Sequence, residues 1–266
     1  MLDNKGIMSG KRGLVMGVAN ERSIAWGIAR ALANEGAELA FTYQGEAFEK
    51  RLKPLAASVG SSKILECDVE GDNSIQLVFD QLGEDWGSID FVVHSVAYSD
   101  KDELNGRYVD TTANNFARTM NISCFSFTAA AKAAYPLMKQ KGGSMITLTY
   151  YGAERVLPNY NVMGVAKSAL EASVKYLATD LGPDAIRVNA VSAGPMRTLA
   201  GSAIGNARKI YNISKANSPL RQAVTLEQLA GTALYLLSDM GSGVTGEIHH
   251  VDAGYNVVGM SYLTTE

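Results

Sequence analysis

Short apolar runs alternate with longer segments of helical period along the whole chain, and this alternation restricts the fold more than any other feature. Most runs are apolar on both alternating faces, as expected of strands that are covered on both sides of a sheet. After the first run, Ile24, Ile28, Ala31 and Leu32 share one helical face, and we expect Gly36 to end that helix. The pattern predicts an α/β fold with a doubly wound parallel sheet. The strand candidates are residues 13–17, 37–43, 62–68, 89–95, 144–150, 185–192 and 247–252.

The domain organisation follows from length and composition. A chain of 266 residues with 47% hydrophobic content can bury a substantial core. No linker, low-complexity tract or composition break divides the chain, so we predict a single domain over residues 1–266. Residues 193–224, rich in Gly, Ala, Ser and Asn, are the stretch of uncertain form. A disordered insertion is one interpretation of them; we favour a substrate-binding lid, since a helical pattern occurs around residues 207–213.

Charge and cysteine content exclude several classes of partner. A net charge of −3 and an isoelectric point near 5.7 argue against a nucleic-acid binder. No apolar run approaches the ~18 residues of a membrane span, and the first residues lack the apolar segment of a signal peptide. Cys67 and Cys124 lie far apart without metal-ligand spacing, which indicates buried free thiols in a reducing compartment. We therefore expect a cytoplasmic protein with no metal, no nucleic-acid partner and no membrane association.

The turn after the first strand is a candidate phosphate site. Free N–H groups and the dipole at the start of a helix favour a bound anion. The usual dinucleotide fingerprint has three closely spaced glycines, whereas this turn has Gly17 and Gly27 with Ser23 between them. Ser23 can cap the helix and bond a phosphate oxygen, and Ile24 would begin the helix. By spacing alone, an ordinary tight turn remains an alternative.

The residues directly after the second strand should select the cofactor, because a ribose 2′-hydroxyl would lie there. Gln44 stands at this point, where a 2′-phosphate would require Arg or Lys. Glu46 follows and would repel a phosphate, whereas Lys50 and Arg51 fit a solvated helix face. The residues at this strand end predict NADH rather than NADPH.

The ends of the third and fourth strands add further candidates. The Asp68 carboxylate can accept from an adenine amino group, with Val69 beside the ring; a turn aspartate is the alternative. Val96 and the small Ala97 follow the fourth strand, where a cofactor can approach the backbone. His94 ends that strand, and we interpret it as a packed, hydrogen-bonded core residue.

A tyrosine and a lysine indicate the chemistry. On an α-helix, residues seven apart lie within about 20° of one face, so Tyr160 and Lys167 can flank one ribose and nicotinamide. The lysine would hold the ribose hydroxyls, and its charge would lower the pKa of the phenol. A surface lysine with an interfacial tyrosine is the structural alternative.

The stretch "NYNVMGVAKSALEASVKYLATDLGPDAIRVNAVSAGPMRTLA" resembles the active-site helix, strand and loop of the short-chain dehydrogenase/reductase superfamily, which has a Rossmann fold. More narrowly, "GVANERSIAWGIA", "CDV", "VHSVAY" and "GAERVLPNYNVMG" are similar to the bacterial NADH-dependent enoyl-acyl-carrier-protein reductases. The wider superfamily carries Tyr where Met163 stands and Ser where Tyr150 stands. Both departures match the Tyr-x6-Lys pattern of the enoyl reductases.

The resemblance implies roles for individual residues. Tyr160 is the tyrosine associated with proton donation, Lys167 holds the nucleotide, and Tyr150 is a second tyrosine beside the substrate. Ser99 matches a substrate-contact position. Asn121 falls where the broader superfamily has a catalytic Asn, and we leave it outside the catalytic set. The cofactor-contact positions are Gly17, Ser23, Ile24, Gln44, Asp68, Val69, Val96, Lys167, Met196, Arg197, Thr198, Leu199 and Ala200.

The resemblance implies NADH-dependent reduction of the trans-2 double bond of enoyl-acyl-carrier-protein in type II fatty acid synthesis. It also implies acyl carrier protein as partner, and a homotetramer. Basic residues near the lid are candidates for docking the acidic carrier, and a solvated helix face explains them equally well. They are Arg208, Lys209, Lys215 and Arg221. A carbonyl or ketoacyl oxidoreductase of the same superfamily and a non-catalytic nucleotide-sensing protein remain the alternatives.

Overall fold

The computed structural model describes residues 6–198 and 207–260, and its centre is a sheet of seven parallel strands. Each of the seven predicted runs coincides with a strand, and no bound differs from the prediction by more than two residues. The strands pair in the order β3-β2-β1-β4-β5-β6-β7. They are β1 (Arg12–Met16), β2 (Glu38–Tyr43), β3 (Lys63–Glu66), β4 (Phe91–His94), β5 (Gly143–Thr149), β6 (Ile186–Ala193) and β7 (Ile248–Val251).

Helices connect successive strands and cover both faces of the sheet, which confirms the predicted doubly wound Rossmann fold. A π-helical turn, Asn121–Phe125, joins the fourth helix to the fifth. The helices are α1 (Ile24–Asn34), α2 (Gly45–Ser58), α3 (Ser74–Trp86), α4 (Ala113–Met120), α5 (Ser126–Met138), α6 (Asn161–Leu181), α7 (Ala207–Asn217) and α8 (Leu226–Leu237).

Two apolar cores lie on opposite faces of the sheet because successive strand side chains point to opposite sides. In β1, Leu14 and Met16 enter the core beneath α3, α5 and α6, whereas Val15 enters the core beneath α1 and α8. In β4, Val92 and Val93 divide in the same way. Burial on both sides explains why these runs are continuously apolar.

The strand order reverses between β1 and β4, and the carboxyl ends of the central strands meet beside this point. Met16 of β1 is level with His94 of β4. His94 is level with Thr147 of β5, and Thr149 is level with Ser192 of β6. The loops after these four strands therefore share one edge of the sheet, where open α/β sheets bind their ligands.

The stretch 193–224 is described at residues 193–198 and 207–224. Helix α7 confirms the helical pattern predicted around residue 207. Beyond α7, the backbone N–H of Leu220 donates to Ala253 O at 3.2 Å, and Ser218 is buried. This segment is thus attached to the chain that follows β7.

The structure also shows how α1 ends and where the two cysteines lie. Gly36 has φ of +91° directly after α1, as expected of the residue that ends the helix. Cys67 and Cys124 are buried free thiols, as predicted. Among the described residues, no helix is both long and apolar enough to cross a membrane.

Candidate active site

Tyr150 and Tyr160 meet at the end of β5. Their rings are T-shaped, with centroids 5.2 Å apart and planes at 83°. Tyr160 is buried and Tyr150 is half-buried. Neither hydroxyl has a hydrogen-bond partner among the residues that the structure describes, so both are available to a ligand.

The turn at Tyr151–Ala153 supports the Tyr160 ring. A Cβ at Gly152 would overlap that ring, and a Cβ at Gly164 would lie 2.9 Å from Gly152 O. The turn therefore packs directly on the first residues of α6. Ser168 Oγ fixes it further by donating to Ala153 O at 2.6 Å.

The start of α6 differs from the prediction. Tyr160 is the N-cap residue and precedes the first helical residue, so the prediction that Tyr160 and Lys167 lie within one helix is wrong for the tyrosine. The backbone is left-handed at Asn159 (φ +61°) and Asn161 (φ +40°), a conformation that Asn tolerates better than most residues. The Asn161 side chain donates to Leu104 O at 3.2 Å and thereby ties this turn to the loop after β4.

Lys167 lies inside the protein on the first turns of α6. Its Nζ donates to Leu148 O at 2.8 Å. Burial lowers the pKa of Lys167 to about 8, and the charges of Cys124 and Glu171 oppose this shift. The amine can therefore exchange its proton near neutral pH.

The phenols titrate differently from the prediction. Burial raises the pKa of Tyr160, and the neighbouring Tyr150 and Glu171 raise it further. Burial also raises the pKa of Tyr150. The expectation of a lowered phenol pKa is wrong for this structure, since burial is the largest cause and raises that pKa. Both tyrosines remain neutral hydrogen-bond donors across the physiological range.

Glu171 and Thr149 join this cluster, although the sequence analysis did not single them out. Thr149 Oγ1 donates to Glu171 Oε1 at 2.7 Å, one residue before Tyr150. Glu171 is four residues after Lys167, and residues at this spacing are neighbours on a helix. That spacing was the available sequence signal.

The loop after β1, where the sequence predicts a phosphate site, turns at Gly17 and leads into α1. Gly17 has φ of +92°, and a Cβ there would overlap Ser95 O, so this position requires glycine. Helix α1 begins at Ile24, as predicted, with no acidic residue in its first turn. Ser23 is the N-cap, but its hydroxyl donates to Asn20 O at 2.5 Å and makes no capping bond, so the predicted cap is wrong.

The end of β2 presents Gln44 to solvent at the N-cap of α2. The next charged residue, Glu46, pairs with Lys50 at 2.6 Å. Because Lys50 offsets the Glu46 charge, repulsion of a phosphate by Glu46 is weaker than the sequence alone suggests. Gln44 is thus an uncharged, exposed residue at the strand end where the sequence predicts the ribose.

Asp68 has the contact expected of a turn aspartate. Its Oδ1 accepts from the backbone N–H of Glu70 at 3.0 Å, as a turn aspartate does. The second oxygen is the one available to an adenine amino group. Val69 and Val96 are both partly buried and pack on the core beneath α3 and α5.

Ser99 belongs to a polar network that fixes the loop after β4. Thr119 Oγ1 donates to Ser99 Oγ at 3.0 Å, and Asn115 Nδ2 donates to Ser99 Oγ at 3.2 Å. Asn115 is buried and also donates to Glu103 Oε2 at 3.1 Å. The Ser99 hydroxyl is therefore engaged within the protein.

The loop after β6 carries part of the predicted cofactor set. Met196 packs partly buried against the core beneath α1, and the Arg197 guanidinium lies 4.7 Å from the centroid of the Tyr211 ring on α7. Thr198 is half-buried, and its N–H donates to Met196 O at 3.0 Å. Leu199 and Ala200 lie outside the described residues.

His94 is a core residue, as predicted. Its ring nitrogens lie 3.1 Å from Thr147 Oγ1 and 2.8 Å from Ser126 Oγ. Burial, followed by the charge of Lys167, lowers the pKa of His94 to about 3. His94 is therefore neutral and does not serve as an acid. No group of three or more metal-ligating side chains occurs within residues 6–198 and 207–260.

The chain is similar to known reductases over nearly its whole length. The family model described as "Enoyl-(Acyl carrier protein) reductase" matches residues 17–256. Enoyl-[acyl-carrier-protein] reductase [NADH] 2 of Rhizobium meliloti (strain 1021) is 63% identical, over 97% of this chain and 96% of the relative. A crystal structure of the Anaplasma phagocytophilum reductase in complex with NAD is 57% identical, with a TM-score of 0.94 over 99% of this chain and 100% of that one. The Bacillus cereus reductase, solved with NADP+ and indole naphthyridinone, is 49% identical, with a TM-score of 0.94 over 96% and 100% of the two chains.

Proposed function

The chain belongs to the enoyl-(acyl carrier protein) reductase family, and we propose on this premise that it reduces the trans-2 double bond of enoyl-acyl-carrier-protein with NADH. The observation that carries the proposal is the contact between Tyr150 and Tyr160 at the end of β5. Two neutral phenols at this strand end suit an oxygen that becomes negative during reduction of a conjugated double bond. A ketoreductase would instead use the Ser and Tyr that positions 150 and 163 lack.

The described residues fit a dinucleotide. Gly17 leaves room for close approach, the start of α1 lacks acidic residues, and the second oxygen of Asp68 is available. NADH supplies, when bound, the hydride that adds to the β-carbon of the substrate. We assign the nucleotide contacts to Gly17, Ser23, Ile24, Gln44, Asp68, Val69, Val96, Lys167, Met196, Arg197, Thr198, Leu199 and Ala200.

The tyrosines act on the thioester oxygen. As the β-carbon gains electrons, negative charge develops on that oxygen as an enolate. The Tyr160 hydroxyl donates a hydrogen bond there, and such preorganised donors stabilise the developing charge. Tyr150 lies beside the substrate and packs against the Tyr160 ring, and Ser99 borders the same site. Protonation of the α-carbon then completes the saturated acyl chain.

Lys167 acts through its charge. The protonated amine holds the ribose hydroxyls and favours negative charge near Tyr160. Its buried position and its bond to Leu148 O support this role, because a buried cation needs a defined partner.

We propose residues 193–224 as a lid, with acyl carrier protein docking on its basic residues. Arg208 and Lys209 are exposed neighbours on α7, and Lys215 is exposed on the same helix. Reversal of both charges in Arg208→Glu/Lys209→Glu should raise the KM for carrier-linked substrate. The KM for a small crotonyl thioester, which lacks the carrier, serves as the control and should stay constant.

We also propose that the protein forms a homotetramer and is cytoplasmic. Exposed apolar side chains on and between α4 and α6, namely Phe116, Phe125 and Tyr176, support association into a homotetramer. Light scattering should give four times the mass of one chain. The two buried free thiols are consistent with a cytoplasmic location.

The decisive experiment follows NADH oxidation with three reaction mixtures. One contains crotonyl thioester, one a β-ketoacyl thioester, and one no acyl substrate. We expect turnover with the crotonyl thioester. Turnover restricted to the ketoacyl thioester would favour a carbonyl reductase, and binding of NADH without any turnover would favour a nucleotide sensor.

A further inference from the structure

Helix α6 is attached to the end of β5 by two side chains one turn apart. Lys167 Nζ donates to Leu148 O at 2.8 Å, and Glu171 Oε1 accepts from Thr149 Oγ1 at 2.7 Å. The two bonds reach successive residues of the strand, and Tyr150 follows directly. One helical turn therefore contacts the strand end through a cation and an anion.

We propose that Glu171 is a positioning residue, which holds Lys167 in its charged form and anchors the strand end that carries Tyr150. The proposal rests on the proposed reductase function and deepens it. Glu171 contacts neither substrate nor cofactor in this role and acts through its two neighbours.

The described groups that surround Lys167 include one carboxylate, that of Glu171. His94 lies on β4 and is neutral, because burial and then the charge of Lys167 lower its pKa to about 3. Cys124 faces it from the π-helical turn, and its Sγ lies 3.6 Å from Ser173 Oγ. Among the described residues, two groups raise the pKa of Lys167 against the effect of burial, Cys124 first and then Glu171, and Glu171 is the carboxylate of the two.

The surroundings of Glu171 hold its carboxylate in place. Thr149 donates to it from β5, and the His250 ring, when protonated, and the Lys175 ammonium act on it from β7 and α6. Glu154 opposes them from the turn after β5, and its Oε1 lies 2.6 Å from His250 Nε2. Burial raises the pKa of Glu171, and the Thr149 bond counteracts that shift.

The experiment measures kcat/KM for NADH and for crotonyl thioester between pH 6 and 9.5. In the wild type, kcat/KM for NADH should fall as the pH rises through the pKa of Lys167, about 8. We call this fall at high pH the alkaline limb. In Glu171→Gln the alkaline limb should lie about one pH unit lower, since a neutral amide no longer favours the lysine cation. Glu171→Asp, which keeps the charge, should restore the limb.

Three further variants separate charge, anchoring and folding. Asp180→Asn removes one exposed negative charge from the same helix and should behave as the wild type. Thr149→Val keeps the Glu171 charge and should lower kcat without moving the limb. Glu171→Ser is a smaller neutral variant for use if Glu171→Gln does not fold.

The outcomes distinguish this inference from the proposed function. A folded neutral variant whose limb coincides with that of the wild type, or whose activity falls equally at every pH, would overturn the role in holding the lysine charge. Unchanged kcat in Thr149→Val would overturn the anchoring role. If the wild type does not reduce crotonyl thioester, the proposed function fails, and the dissociation constant of NADH against pH then tests Glu171 independently of turnover.

Discussion

Tyr150 and Tyr160 carry the same hydroxyl group and differ in surroundings. Burial is the main cause that raises the pKa of each, and Tyr160 is the more buried of the two. A phenol that stays neutral can donate to a developing enolate oxygen throughout the working pH range. Removal of one donor at such an oxygen usually costs about 10²- to 10³-fold in kcat.

Tyr160→Phe should therefore lower kcat by about two orders of magnitude and leave the dissociation constant of NADH nearly unchanged. Tyr151→Phe is the matched control, since Tyr151 contacts Tyr255 and Asn256 O outside the phenol pair. Stopped-flow kinetics and fluorescence titration measure the two quantities. A loss confined to NADH affinity would contradict the role as a donor.

We also propose that one residue, Gln44, sets the choice of nucleotide. In Gln44→Arg, a guanidinium at the end of β2 could pair with a 2′-phosphate, and charge-assisted bonds of this kind contribute about 1.5–3 kcal/mol. The ratio of kcat/KM for NADPH to that for NADH should rise about tenfold to a hundredfold. Ala57→Arg places the same charge on an exposed residue at the far end of α2 and should leave the ratio constant. An unchanged ratio in Gln44→Arg would show that the ribose lies elsewhere.

At the scale of elements, the junction of β1 and α1 depends on one glycine. Gly17 combines positive φ with close approach to Ser95 O, whereas Gly10 has positive φ (+79°) and open space around it. A substitution at Gly10 therefore tests backbone strain alone, whereas one at Gly17 tests strain together with steric overlap.

Gly10→Ala should cost about 1–2 kcal/mol of unfolding free energy, the usual penalty for a side chain at positive φ. Gly17→Ala should cost about 2–5 kcal/mol, because β1 and β4 must also move apart. Urea unfolding measures both, and NADH titration should show weaker binding for Gly17→Ala only. Equal losses for the two variants would contradict the assigned overlap.

Sequence patterns predicted the elements well where burial alone decides them. All seven strands were identified because continuous apolar runs require cover on both faces. The start of α6 was not identified, since two left-handed asparagines break the helical register before Val162. Those conformations are stabilised by contacts such as Asn161 to Leu104 O, which join segments far apart in the chain.

At the scale of the molecule, the buried His94 makes the stability of the fold depend on pH. His94 has a pKa of about 3 in the folded protein, below its ordinary value in an unfolded chain. Its contribution to stability is complete above about pH 6.5 and is lost as the pH falls toward 3, because the unfolded chain then binds the proton preferentially.

We expect the wild type to lose up to roughly 1.4 kcal/mol per pH unit from this one group between about pH 6 and 4. His94→Gln, which can keep bonds to Thr147 and Ser126, should have a shallower dependence of unfolding free energy on pH. Denaturant unfolding at several pH values measures both slopes. Identical slopes would show that His94 is protonated without cost in the folded protein.

The sequence by itself determined the parallel sheet, the helix order, and the presence of Tyr150, Tyr160 and Lys167 in a spacing typical of enoyl reductases. These features depend on periodicity and local order, which a linear pattern records. The tertiary structure decided the rest. It lowered the pKa of Lys167, raised that of Tyr160, turned the Ser23 hydroxyl into its loop and brought Glu171 to Thr149. Each of these outcomes depends on burial or on contact between distant segments, and neither is defined until the chain has folded.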